Sequence, residues 1–305
     1  MEKKQWGLVL SGGGGKGSYQ IGAWRALCEL GWDTQITGIS GTSVGALNLA
    51  LMVCTNEVRA ERIWRAVTPL DFLDIDLPLE SDGIFSREGL VRIIRENVDL
   101  GRVSAYPYPL FAGTSMDAGN GRYIARYFRL NGEDPERILS LLLASSAMPV
   151  AYPSVTIDGA RHSDGGITNN VPVKPLYNEG FRNLLVIDVA EEDQLIPALY
   201  PEAELVHIRP SRDIGHLLDG TLDFSAKGAE FRLELGYRDT LRVLTAYEKG
   251  EWGKPEFAAA AAIDAEADYQ QIRVDMMQKK YTDTVYGRMN KLDDILKKYN
   301  IDPEE

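Results

Sequence analysis

A serine between two glycines is the residue of this chain best placed for covalent chemistry. Residues Gly41–Gly45 read Gly-Thr-Ser-Val-Gly and match Gly-x-Ser-x-Gly, a pattern whose small flanking residues allow a sharp turn that exposes the serine Oγ. A short apolar stretch at residues 35–40 precedes the run, and a helix-favouring stretch at 46–54 follows it. Because the motif has meaning only between a strand and a helix, this context favours Ser43 as a nucleophile over an idle turn serine.

A glycine-rich loop, Gly12–Gly17, is a candidate anion site. It lies between a predicted strand at residues 6–10 and a predicted helix at 18–30, where backbone N–H groups can hold an oxyanion as readily as a phosphate. If the strands before this loop and before Ser43 are parallel neighbours, both helix N-termini face one crevice. The loop also satisfies the Gly-x-Gly-x-x-Gly of dinucleotide-binding turns, but no acid ends the next strand, and Lys16 precedes the last glycine, unlike a P-loop lysine. A non-catalytic dinucleotide-binding module remains the weaker alternative.

The proton acceptor for Ser43 has two candidate sources. Asp164, in the run Asp-Gly-Gly, follows a predicted hairpin, although Asp-Gly is also a common turn sequence. A conventional triad would instead use Asp188 with His207 or His216, downstream of the serine. The third histidine, His162, fits a surface turn. The residues alone leave open both a Ser-Asp pair and a Ser-His-Asp esterase or acyltransferase of α/β-hydrolase type.

Four segments, in the same order along the chain, resemble the patatin-like phospholipase family. Gly12–Gly17 resembles its oxyanion loop, Gly41–Gly45 its nucleophile elbow and Asp164–Gly166 its Asp-Gly-Gly segment. Ala144–Pro149 resembles the Ala-Ser-x-Ala-x-Pro stretch just before that aspartate. The resemblance extends from about residue 6 to residue 189. One variation is Lys16, where many members carry arginine; lysine keeps the charge but loses the planar fork.

This resemblance implies a lipid acyl hydrolase of phospholipase A, lysophospholipase or esterase type, acting through a Ser43 acyl-enzyme. Asp164 would be the general base without a histidine, and no metal or organic cofactor would be required. The implied partner is a lipid or other acyl ester, and transient contact with a membrane surface is compatible with that substrate. The implied oxyanion hole comprises Gly12, Gly13, Gly14 and Gly15, and the residues implied to support the motifs are Lys16, Gly17, Gly41, Gly45, Gly165 and Gly166.

The elements that must position these residues alternate between strands and helices. Apolar, β-rich runs predict strands at residues 6–10, 35–40, 108–114, 184–189 and 205–208, and a hairpin over 154–163. Helical patterns separate most of these strands, and only helices are predicted from residue 217 onward. We therefore predict the α/β class, with a mainly parallel central sheet flanked by helices in a three-layer, patatin-like α/β/α arrangement. The predicted domains are a catalytic domain over residues 5–210 and a helical C-terminal extension over 211–305 packed on it.

Composition narrows the function further. The 305 residues carry a net charge of −12 with 44% hydrophobic and 26% charged residues, as in ordinary globular proteins. The acidic balance argues against nucleic-acid binding and against polybasic docking on a membrane. Cys28 and Cys54 fit buried, reduced thiols. With neither a secretory signal nor a run of roughly 20 apolar residues, we expect a cytoplasmic protein without a transmembrane segment, at most peripheral to a membrane.

Overall fold

A mixed eight-stranded sheet forms the centre of the protein. The computed structural model describes residues 4–68, 71, 87–149, 151–192 and 195–299. Within these ranges the strands are β1 (Trp6–Leu10), β2 (Ile36–Thr42), β3 (Leu110–Asp117), β4 (Tyr123–Arg129), β5 (Val155–Ile157), β6 (Ala160–Asp164), β7 (Asn183–Ile187) and β8 (Glu204–Ile208). Their order is β5-β6-β3-β2-β1-β7-β8, and β4 also pairs with β3. The strands from β3 to β8 in this order are parallel, whereas β4, β5 and β6 pair antiparallel.

Helices cover both faces of the sheet. The alternation of side chains along β1 shows this directly: Leu8 and Leu10 belong to the larger apolar core, and Val9 belongs to a second core with Val173 and Leu176. The predicted α/β class with a mainly parallel sheet is therefore confirmed. The helices are α1 (Ser18–Glu29), α2 (Val44–Cys54), α3 (Glu57–Ala66), α4 (Arg87–Asn97), α5 (Leu100–Ser104), α6 (Pro135–Ser145), α7 (Val173–Asn178), α8 (Ala226–Glu248) and α9 (Pro255–Tyr299).

The C-terminal helix α8 packs closely against α1. A side chain at Gly22 would lie 1.9 Å from the carbonyl oxygen of Leu233, and one at Gly236 would lie 2.0 Å from that of Tyr19. Glycine at these two positions therefore lets the two backbones approach each other. The Tyr19 hydroxyl also donates to Asp239 Oδ2 at 3.0 Å. As a result, α8 supports the helix that follows the glycine-rich loop.

Most predicted elements lie within two or three residues of their observed bounds. The sequence prediction missed β4, α5 and α7, and it placed His162 wrongly: this histidine is buried in β6. Cys28 and Cys54 are unpaired, as predicted, but half-buried rather than buried. Among the helices that the structure describes, none contains an apolar stretch long enough to cross a membrane.

Candidate active site

Ser43 occupies a strained turn between β2 and α2. Its backbone has φ 55° and ψ −128°, a conformation that costs energy for a residue with a side chain. The turn is tight because backbone passes directly over both flanking glycines. A side chain at Gly41 would lie 2.3 Å from the carbonyl oxygen of Gly45, and one at Gly45 would lie 2.3 Å from that of Leu10. The two glycines thus permit a turn that places Ser43 at the positive end of α2.

The structure brings Ser43 and Asp164 together across 121 residues of sequence. Asp164 ends β6, which pairs with β3, and β3 pairs in turn with β2, so both residues lie at the same part of the sheet. The Ser43 Oγ donates a hydrogen bond of 2.6 Å to Asp164 Oδ2. The other carboxylate oxygen, Oδ1, accepts the backbone N–H of Gly166 at 2.8 Å. Both oxygens of the carboxylate are therefore held in fixed directions.

Burial makes Asp164 a stronger base than an exposed aspartate. The residue is only 6% exposed, and the loss of hydration raises its pKa from 3.8 to about 6. The hydrogen bonds from Ser43 and Gly166 lower the pKa and offset part of this increase. The carboxylate is thus ionised at neutral pH, with a pKa close enough to neutrality to accept a proton in a reaction.

The glycine-rich loop lies beside the serine. Since β1 and β2 are parallel neighbours, their carboxyl ends adjoin, and a side chain at Gly12 would lie 2.9 Å from Ser43 Cβ. The Gly12 N–H donates to Asn170, at 3.1 Å to Oδ1 and 3.3 Å to the carbonyl oxygen. The amides of Gly13, Gly14 and Gly15 make no hydrogen bond to another described residue. Of these three glycines, Gly13 and Gly14 line the cavity beside Ser43.

Gly15 has a different environment from the other three glycines. Gly12, Gly13 and Gly14 line a cavity together with Ser43, whereas a side chain at Gly15 would lie 2.1 Å from the carbonyl oxygen of Asp223. Gly15 therefore packs against the segment that leads into α8.

Two buried cations, Arg232 and Lys16, fix the position of the glycine-rich loop. The Arg232 guanidinium, 2% exposed, donates to the carbonyl oxygens of Gly15 and Asp223 at 3.0 Å each and forms an ion pair with the Asp223 carboxylate. The Lys16 Nζ forms an ion pair of 2.8 Å with Glu191. The sequence reasoning did not identify Arg232, because it lies outside every recognised motif.

Ser145 fixes the backbone of the elbow. Its Oγ accepts the N–H of Ser43 at 3.0 Å and donates to the carbonyl oxygen of Gly113 at 2.6 Å. It thereby links the end of α6 to β2 and β3. Ser145 belongs to the Ala-Ser-x-Ala-x-Pro segment, so a sequence signal was present, but its spacing did not indicate this role.

Each of the three histidines makes its contacts with residues other than Ser43. His207 Nε2 lies 3.2 Å from Asp188 Oδ2, but its strand β8 is three positions from β2 in the sheet, or roughly 14 Å at 4.8 Å per strand. His216 Nδ1 contacts Glu191 Oε2 at 3.2 Å, and this neighbour raises its pKa. His162 Nδ1 lies 2.9 Å from Thr114 Oγ1, and burial lowers its pKa. The structure therefore assembles an Asp188–His207 pair away from the serine.

A largely apolar cavity of about 550 Å³ adjoins Ser43 and Asp164, a size typical of small-molecule sites. Over the described part of the chain, no cluster of His, Cys, Asp or Glu is suited to hold a metal ion. Four helices contribute apolar side chains to the cavity wall: Leu47 and Leu51 of α2, Ile63 and Trp64 of α3, Leu90, Ile93 and Ile94 of α4, and Leu142 of α6.

Comparisons with known proteins all indicate the same family. The model of a family described as patatin-like phospholipase matches residues 8–177. The mouse patatin-like phospholipase domain-containing protein 7 is 28% identical over 211 residues, 64% of this chain and 14% of that protein. The neuropathy target esterase of Drosophila melanogaster is 30% identical over 195 residues, 61% of this chain and 13% of that protein. A lysophospholipase of Cryptococcus neoformans is 26% identical over 220 residues, which are 66% of this chain and 12% of that protein. The chain thus spans a small part of the length of these relatives.

Proposed function

The chain belongs to the patatin-like phospholipase family, and we propose that it hydrolyses fatty-acyl esters of lipids with Ser43 as nucleophile and Asp164 as general base. The observation that carries the proposal is the 2.6 Å hydrogen bond from Ser43 Oγ to the buried Asp164 carboxylate. A nucleophile and its base must lie within such a distance for the proton to move as the new bond forms.

In the first half-reaction, Ser43 Oγ attacks the acyl carbonyl carbon while its proton passes to Asp164 Oδ2. The negative charge that develops on the carbonyl oxygen is stabilised by the free amides of Gly13 and Gly14, and by the N-terminus of α2. The tetrahedral intermediate then collapses: the ester C–O bond breaks, and Asp164 returns the proton to the leaving alcohol. The product that remains on the protein is an acyl-Ser43 ester.

In the second half-reaction, water replaces the alcohol. Asp164 accepts a proton from the water as it attacks the acyl-Ser43 carbonyl, and the same amides stabilise the second intermediate. Release of Ser43 Oγ, which regains its proton from Asp164, frees the fatty acid. The raised pKa of Asp164 suits both directions of proton transfer, since a carboxylate of pKa about 6 is a better base than one of pKa 3.8 and can still return the proton.

The cavity supports a fatty-acyl substrate. Its wall is largely apolar, and Ser43, Asp164 and the glycine-rich loop lie among the polar groups that line it. An acyl chain lying between α2, α3 and α4 would bury its methylene groups at about 0.8 kcal/mol each. A phospholipid, a lysophospholipid or a neutral lipid ester meets this description equally well.

The catalytic unit in this proposal extends beyond residue 210. Arg232 of α8 contacts the carbonyl of Gly15, and Gly14 packs against Thr221, whose carbonyl oxygen would lie 2.2 Å from a side chain at this glycine. We therefore assign α8 to the catalytic domain, and we limit the helical extension to the part of the chain that follows it.

The test uses a fluorophosphonate, which labels activated serines, followed by mass spectrometry, together with turnover of p-nitrophenyl butyrate. We expect the label on Ser43, and we expect turnover to fall by at least about a thousandfold in Ser43→Ala and in Asp164→Asn. His207→Gln is the matched control, because it removes the base of the alternative triad. Full activity in Asp164→Asn combined with loss in His207→Gln or His216→Gln would refute the proposal.

A further inference from the structure

The long helix α9 has two apolar faces, and only one of them is buried against other residues that the structure describes. Ala265 and Ile272 are buried, Met276 is half-buried, and these residues lie on the side that packs toward α8. At 100° per residue, a second apolar stripe lies on the opposite side of the helix. We call this stripe the outer face; its residues, which are between 37% and 74% exposed, are Ile263, Val274, Met277, Tyr281, Val285 and Met289.

The outer face is long and narrow. Its six residues fall within about 120° of the helix circumference and extend over roughly 39 Å at 1.5 Å per residue. Gln270, Gln271 and Gln278 fall within the same arc, so the apolar residues of the outer face are concentrated between Val274 and Met289. Exposed apolar residues clustered in this way mark an interaction site.

Basic residues border this stripe. Arg273, Lys280 and Lys291 follow one edge of the outer face, and Arg288 lies within it, as the helical periodicity requires. Between residues 273 and 291 the helix carries five basic residues and two acidic ones, Asp275 and Asp283, neither of which lies within the outer face. This part of α9 is therefore locally positive in a chain whose net charge is −12, whereas the part nearer Ile263 also carries Asp264, Glu266 and Asp268.

The pattern favours a lipid surface over a second copy of the chain. A coiled-coil partner requires apolar residues at both seam positions of each heptad. Starting from Val274 and Met277, the seam continues through Tyr281 to Thr284 and Arg288, so polar residues interrupt it. In an interfacial helix the same Arg288 extends its charged end to the headgroups while its stem stays among apolar groups.

The middle of α9 lies close to the candidate active site. Lys279 of α9 forms an ion pair of 3.0 Å with Glu230 of α8, and Glu230 also pairs with Arg65 of α3. The residues beside Arg65, Ile63 and Trp64, line the cavity. A surface bound by α9 would therefore lie near the α3 wall of the cavity.

We infer that the outer face of α9, with its basic edge, docks the protein onto an anionic lipid surface. The inference deepens the proposed function, since it assigns the means by which a lipid substrate is reached, but binding can be measured independently of hydrolysis. The apolar side chains would enter the headgroup boundary, and Arg273, Lys280 and Lys291 would contact the anionic headgroups.

The experiment measures co-sedimentation of the full chain with vesicles of the diether analogues of phosphatidylcholine and phosphatidylglycerol, which contain no acyl ester to cleave. We expect binding to vesicles with 30% phosphatidylglycerol and much weaker binding to pure phosphatidylcholine. Met277→Asp and Tyr281→Asp should each lower the partition coefficient about tenfold, and Lys280→Gln and Lys291→Gln about fivefold each. Ile124→Asp, which alters an exposed apolar residue of β4, is the matched control and should bind as the unaltered protein does.

Each outcome decides the inference. Circular dichroism and p-nitrophenyl butyrate turnover equal to those of the unaltered protein would show that the α9 variants are folded. Equal binding of the variants and the unaltered protein, or no binding of the latter to anionic vesicles, would refute docking through α9. A dimer in sedimentation velocity that Tyr281→Asp dissociates would assign the outer face to a second copy and also refute it. If vesicles bind as expected while no ester is cleaved, the proposed function fails and the docking inference stands.

Discussion

Replacement of Asp164 by asparagine should stabilise the protein while it abolishes activity, and the stabilisation should grow with pH. Asparagine is almost isosteric with aspartate and can keep the contacts to Ser43 and Gly166, but it carries no charge. The wild-type carboxylate must ionise in a buried site, which is why its pKa is raised from 3.8 to about 6. A raised pKa in the folded state means that this group's contribution to stability is complete below pH 3.8 and is lost as the pH rises through 6.

The size of the effect follows from the two pKa values. A difference of about 2.2 units corresponds to about 3 kcal/mol between the limits of low and high pH. At pH 5 about 1.6 kcal/mol of this has already been lost, and at pH 8 the loss is complete. The free energy of unfolding of Asp164→Asn, relative to the wild type, should therefore increase by about 1.4 kcal/mol between pH 5 and pH 8.

Urea unfolding of both proteins at several pH values between 5 and 8 measures this difference directly. Constant contributions of the substitution cancel in the comparison between pH values, and so do the titrations of all other groups. Asp158→Asn is the control: the pKa of Asp158 is lowered by its ion pair with Arg137, so it titrates below pH 5, and the variant's difference from wild type should stay constant over this range.

A difference between Asp164→Asn and wild type that is constant from pH 5 to 8, or that decreases, would refute the reasoning. Either result would mean that the carboxylate is well solvated or is compensated by a charge, and Asp164 would then be an ordinary weak base. The proposed mechanism would lose its explanation for proton transfer without a histidine.

Three further predictions concern the same site. The kcat/KM for p-nitrophenyl butyrate should fall tenfold per pH unit below about pH 6 and be level above it, because Asp164 must be ionised; a midpoint near 7 would indicate a histidine instead. Gly45→Ala should lower the free energy of unfolding, measured in urea, by about 1–3 kcal/mol, because the new Cβ would lie 2.3 Å from the Leu10 carbonyl oxygen. Gly101→Ala in α5 is the control and should be tolerated, because only a side-chain atom lies near that position, at 3.3 Å. Arg232→Met should lower the free energy of unfolding by about 3–5 kcal/mol, since it leaves Asp223 without its ion-pair partner. The same variant should lower kcat more than it changes KM. As a control, Arg95→Met at an exposed arginine that pairs with Glu136 should lower the free energy of unfolding by less than about 1 kcal/mol.

The elements around the motifs could be predicted from the sequence because their signals are local. The apolar run of β1, the Gly-x-Ser-x-Gly turn and the helix of α2 each have a characteristic composition, and β1 and β2 lie side by side as the motif context requires. β4 could not be recognised in this way, since all seven of its residues are exposed or partly exposed and five of them carry polar or aromatic side chains. Its position depends on pairing with β3, which the residues of β4 do not encode by themselves.

The residues that hold the active-site motifs in place were harder to predict from the sequence than the motifs themselves. Arg232 contacts Gly15 across 217 residues, and Ser145 contacts Ser43 across 102. Such contacts result from the packing of α8 on α1 and of α6 on the sheet, which no spacing in the sequence specifies. The prediction for His162 was wrong for a related reason. A histidine two residues before an Asp-Gly turn resembles a surface residue, and only the pairing of β6 with β3 shows that it is buried.

The arrangement of the site also explains why the contacts of α8 are so close. Two features reduce the stability of the fold: the positive φ of Ser43 and the buried charge of Asp164. Neither could persist in a flexible scaffold, because relaxation would give Ser43 an ordinary turn and would let water reach the Asp164 carboxylate. The buried contacts of Arg232 on one side of the glycine loop and of Asn170 on the other prevent this relaxation. A rigid loop is what an oxyanion hole requires, since donors that need not reorganise during the reaction stabilise the transition state most effectively.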